Sequence, residues 1–171
     1  MNRLLLLMDR LCFFGAAVAA LLLAMLFFLG ALEIVLRSAF QISLPFAVEY
    51  AGYLLVLVLF LGSGWTLSQG EHVRVTLLRE HVSPVMAYRL DIAAVLVALC
   101  IAIILTASLF TYAMGTWFRG TVSYFPSETP LALPQFFLSF GPLTLCIALC
   151  ARLIRLIRGE DRDPKIMAEN E

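Results

Sequence analysis

The side chains in this sequence that could do chemistry are few, and their spacing limits what that chemistry is. Glu33 and Arg37 stand four residues apart, the separation at which side chains on one helix face meet, so an ion pair is expected. Glu49 falls at a predicted helix start, where the positive end of the helix dipole favours an acid. Two readings of this trio stay open: an ordinary boundary pair plus a helix-start acid, or charges that dock a second protein. His72 and Arg74 share the ambiguity, as solvated interfacial residues or as contacts to a partner or a lipid head group. Arg119 borders and Glu128 lies within a further outer connection, and with Arg37 and Glu49 they are the charges expected to help dock a partner protein. Cys12, Cys100, Cys146 and Cys150 form no CxxC pair and fall inside or beside apolar runs. Cys146 and Cys150 share a helix face, but with no His or acid beside them packing is the expected role. No Gly-rich phosphate loop, HExxH or nucleophile–base pair is present, so neither catalysis nor a bound cofactor or metal is expected.

Four apolar stretches must position these residues: 11–32, 50–69, 92–118 and 131–151. None contains Asp, Glu, Lys, Arg or His. Each has about 20 residues or more, enough at ~1.5 Å rise per residue to cross the ~30 Å hydrocarbon core of a bilayer. With 62% hydrophobic residues, a domain of this size could not hide its apolar surface from water, so lipid must be the solvent for most of it. The expected fold is all-α: one integral-membrane four-helix domain over 1–171, with helices at about 4–36, 45–69, 84–117 and 134–158. A polar tail follows over 159–171.

Punctuation refines this outline. Ser43 and Pro45 suggest an N-cap and first turn for the second helix, and Ser83-Pro84 for the third. Between them, Val75, Leu78 and Val82 recur at helical spacing, which favours a short interfacial helix. Pro126, Pro130 and Pro134 argue against regular structure in the last connection. Gly141-Pro142 predicts a kinked fourth helix, and Gly159 its end. The first apolar run is longer than a signal-peptide core and lacks a small-residue cleavage site, so it is read as a retained helix.

Charge sets the expected orientation. Placing both termini and the middle connection in the cytoplasm puts all twelve basic residues inside except Arg37 and Arg119, as the positive-inside rule asks. The uncharged cores also exclude function classes. A charge at the bilayer centre costs about 2.5–3.5 kcal/mol on insertion scales, so pumps and antiporters keep one only where they use it. Autonomous transport is therefore not expected, and nothing suggests nucleic-acid binding.

Three blocks resemble the small membrane subunit of tripartite ATP-independent periplasmic (TRAP) transporters. They are Glu33-Ile34-Val35-Leu36-Arg37, the segment 45–78 with Glu49 and Gly70-Glu71-His72-Val73-Arg74-Val75, and Thr129-Pro130-Leu131-Ala132-Leu133-Pro134 followed by Gly141-Pro142. Glu33 stands where the family often has Asp, Thr76 where an Asp often follows, and Gln135-Phe136 where a Trp is common. The resemblance implies a multi-pass protein of a bacterial inner membrane. Its implied partners are a large multi-helix subunit that carries the transport sites, a periplasmic solute-binding protein that delivers a small organic acid, and membrane lipids. The rival expectation is a membrane anchor for a respiratory or other enzyme complex, which usually shows buried His ligands.

Overall fold

The computed structural model describes residues 3–69 and 84–159. Within them lie helices α1 (Arg3–Phe40), α2 (Ala47–Ser68), α3 (Pro84–Arg119) and α4 (Ala132–Arg158), all long and apolar enough to cross a membrane. The all-α expectation holds, with one isolated β-bridge among the described residues outside the helices. The segment 71–83 expected to form an interfacial helix lies outside the described residues, and His72 and Arg74 with it.

These helices are apolar on nearly every face, as lipid demands and water forbids. Phe27 and Phe28 are each 69% exposed, a cost no soluble fold would accept at this frequency. α4 lies in the middle and packs on α1, α2 and α3, while α1 also packs on α2. Because lipid gives no hydrophobic drive between helices, close approach must supply the attraction, and small residues permit it. Gly15 in α1 faces the Leu61 carbonyl and Thr144, Gly64 in α2 faces the Thr144 backbone, and Gly141 in α4 faces Phe60. Cys12 is buried at the same junction, its thiol against the Thr144 carbonyl at 3.9 Å. Pro142 is also buried there and lies inside α4 without ending it.

The helix ends follow local rules with one exception. Gly120 (φ 60°) closes α3. Its N–H reaches the Trp117 carbonyl and that of Thr121 the Thr116 carbonyl, the paired bonds of a Schellman cap. Gly159 (φ 71°) ends α4 as its sequence position suggested. Ser43, expected to cap α2, does not: the N-cap is Phe46 with no side-chain bond, because the Ser43 hydroxyl is drawn to Glu33 instead. At the far end of the bundle Arg155 donates to both Asp9 oxygens at 2.7 and 2.5 Å. That pair ties the start of α1 to the end of α4, so both helix termini lie at one end of the bundle.

Candidate functional site

Of the charged residues singled out in the sequence, Glu33, Arg37, Glu49, Arg119 and Glu128 are described, and they gather at the opposite end, where α1 meets α2 and α3 meets α4. Glu33 and Arg37 form the expected i, i+4 pair at 2.6 Å. Glu33 does more than pair. One carboxylate oxygen accepts from the Ser43 hydroxyl at 2.7 Å and the other from the Leu44 backbone N–H at 2.8 Å. Arg37 also donates to the Ser43 hydroxyl at 3.0 Å. The acid thus clasps the six-residue connection between α1 and α2, which leaves α1 through Gln41 in a left-handed conformation (φ 57°). Arg37 keeps a largely exposed side chain, at 64%.

Glu49, in the first turn of α2, is only 4% exposed. Tyr53, one turn on, donates to it at 2.7 Å, and the Ser127 hydroxyl donates to its other oxygen from the α3–α4 connection. A buried carboxylate is tolerable when hydroxyl donors and the N-terminal end of a helix dipole offset its lost hydration. From the same connection the Thr129 hydroxyl donates to the Tyr50 hydroxyl at 3.4 Å.

These bonds seat a structure the prolines seemed to forbid. Residues 120–131 fold back as a small hairpin: Ser123 N–H donates to the Thr129 carbonyl at 2.9 Å, Leu131 N–H to the Thr121 carbonyl at 3.1 Å, and Val122 bridges Pro130. Pro130 occupies a position whose N–H the ladder does not use. Pro126 takes the second place of the turn closed by Glu128 N–H to the Phe125 carbonyl at 3.0 Å, where a fixed φ helps. Pro134 falls in the first turn of α4, whose N–H groups have no helical partner anyway.

Glu128 (φ 45°) is exposed on this hairpin, and Tyr124 at its tip is fully exposed. Arg119 is exposed at the end of α3, its guanidinium folded back beside Gly115. The structure therefore brings Glu33 with Arg37 into one cluster and sets Glu49 beneath the hairpin that carries Glu128. Sequence reasoning missed the Ser43–Glu33 bond, Tyr53 and Ser127, and the Asp9–Arg155 pair. Tyr53 had a local signal at i, i+4 from Glu49; the others are joined across ten residues or more and leave no periodic trace.

Among the described residues no group of three or more His, Cys, Asp or Glu comes together. All four cysteines are free, Cys146 lying 3.8 Å from the Thr106 hydroxyl. The family model for the DctQ component of tripartite ATP-independent periplasmic transporters matches residues 26–159, from mid-α1 to the end of α4. No curated protein matches the chain.

Proposed function

This chain belongs to the DctQ family, the small permease subunit of tripartite ATP-independent periplasmic transporters, and we propose that it serves there as a non-catalytic scaffold. The family works with a large membrane subunit and a periplasmic binding protein. The observation that carries the scaffold reading is the distribution of charge. No Asp, Glu, Lys, Arg or His interrupts 11–32, 50–69, 92–118 or 131–151. The strongest described polar contacts, at Glu33, Glu49 and Asp9, hold this chain's own elements together. A protein that carries solute or ions needs polar groups exposed along a path; here they brace helix ends.

In this reading the chain enlarges the static part of the permease while the large subunit moves a small organic acid. The end bearing Arg37 and the 120–131 hairpin faces the periplasm, and the end tied by Asp9 and Arg155 faces the cytoplasm, in keeping with the basic residues concentrated there. Arg37 and Glu128, both exposed, help receive the binding protein, and the hydroxyl-bound Glu49 keeps the hairpin in place for it. His72 and Arg74 remain candidates for partner or lipid contact on the cytoplasmic side.

Co-expression tests the scaffold. The tagged chain, solubilised in mild detergent, should retain the large subunit as a stable complex. Recovery as a lone monomer that by itself moves solute into liposomes would overturn the reading. Docking is tested separately by Glu128→Lys in the whole transporter. Reversing a rim charge acts mainly on encounter, so the substrate concentration for half-maximal uptake should rise roughly threefold to tenfold at low salt and less at high salt. Uptake unchanged at both ionic strengths would remove Glu128 from the docking surface.

A further inference from the structure

One groove on the exposed surface of α3 has no role in the bracing described above. Ala107, Ser108, Thr111, Tyr112, Gly115 and Arg119 line a shallow groove of about 470 Å³ along the last turns of α3. All six belong to α3, whose main packing partner among the described helices is α4. Gly115 makes the notch and Arg119 lies back over it: a Cβ built on Gly115 would stand 3.2 Å from a guanidinium nitrogen. The cation therefore points one turn towards the bilayer interior, the reverse of the snorkelling that takes a lone interfacial Arg out to water. Among the described residues no carboxylate pairs with it. At the same end of the bundle Trp117, Phe118 and Tyr124 are exposed at 58%, 80% and 101%, and such aromatics mark the head-group level of a membrane.

We propose that this groove binds an anionic phospholipid of the leaflet at the hairpin end. The phosphate takes the Arg119 guanidinium, whose planar fork matches two phosphate oxygens. The Tyr112 hydroxyl lies a further turn down, in reach of the glycerol region, and one acyl chain follows the groove past Gly115 and Ala107. Charge selects the occupant. A cation at head-group depth, in a groove walled by one helix and open on the other side, meets phosphate from the lipid itself. A protein helix would have to bring a carboxylate to the same depth.

The test uses the purified full chain in detergent, titrated with palmitoyl-oleoyl phosphatidylglycerol and read by native mass spectrometry, so it does not depend on the large subunit. Arg119→Gln should lower retention of this lipid about tenfold, the loss of one charge-assisted bidentate contact. Gly115→Leu, which keeps the charge but fills the notch, should lower it as well, whereas Arg10→Gln at the opposite end of the bundle should not. Equal retention by wild type and Arg119→Gln overturns the site. So does equal retention of the zwitterionic phosphatidylcholine, or displacement by glycerol phosphate alone, which would make it a site for free phosphate. In a parallel co-purification of the whole transporter, loss of the large subunit from Arg119→Gln, with lipid retention by the lone chain unchanged, would assign the groove to a partner helix and also overturn the proposal.

Discussion

Gly141→Ala should force α2 and α4 apart and lower the stability of the bundle, although alanine is the better helix former. The added methyl would fall well inside contact distance of Phe60 Cβ and 3.5 Å from the Phe60 carbonyl carbon. Neither atom belongs to a flexible side-chain end, so relief requires moving the α2 backbone. Overpacking of this kind costs about 1–3 kcal/mol, against a helix-propensity gain for Gly→Ala of at most ~1 kcal/mol. The contact also sits at the crowded junction of the bundle. Thr144 donates to the Gly141 carbonyl at 2.7 Å, and its backbone abuts Gly64, so separation at one point loosens three helices. The unfolding midpoint in detergent should fall by several degrees, and the buried Cys12 should react with a maleimide dye at lower temperature. Phe60→Leu should not rescue the variant, because leucine keeps the offending Cβ. Gly52→Ala supplies the contrast, since a Cβ there meets nothing within 4 Å, and that variant should be neutral or slightly stabilised. An unchanged midpoint in Gly141→Ala would show that the helices do not cross this closely.

A second large effect is expected at Glu49. Truncation to alanine leaves the Tyr53 and Ser127 hydroxyls without their acceptor in a site that is almost closed to water. Hydrogen bonds to a charged group contribute about 1.5–3 kcal/mol each, and unpaired buried donors carry a further penalty, so a loss of about 2–4 kcal/mol is expected. The damage should be local. Amide exchange at Ser123 and Leu131, whose N–H groups hold the hairpin, should accelerate by at least tenfold while the α4 amides around Leu149 keep their protection. Glu49→Gln should lie between, since its one carbonyl oxygen can still accept from a hydroxyl. Uniform loosening of the whole bundle, or no change in hairpin exchange, would contradict the assignment of Glu49 as the hairpin's anchor.

Much of the architecture was legible in the chain because lipid imposes so few solutions. A run of about 20 residues without charge has to become a helix, since each backbone polar group must find its partner within the segment. The local pair Glu33–Arg37 and the left-handed stop at Gly159 were equally readable, both depending on residues within one turn. Readings that weighed a residue against near neighbours alone went astray where a distant competitor existed. Ser43 is a good capping residue by type, yet Glu33 claims its hydroxyl. The prolines of the last connection discourage regular structure one by one, yet Pro126 and Pro130 occupy places in the hairpin where a missing N–H costs nothing.

The sequence by itself determined the class of solvent, the four crossings and the absence of charge along them, because each of these is a property of contiguous residues in a medium that cannot hydrogen-bond. Only the tertiary structure decided which charges act inside the chain and which face outward. Glu49 and Glu128 are the same side chain, each in or beside a polar connection at one end of the bundle, but one is enclosed by hydroxyls from Tyr53 and Ser127 and the other stands exposed. That difference arises from how α2 and the hairpin meet across nearly eighty residues of chain, as the Ser127–Glu49 separation of 78 records. No periodicity carries such a contact, because its energy comes from excluding water around a group that the chain brings together only after folding.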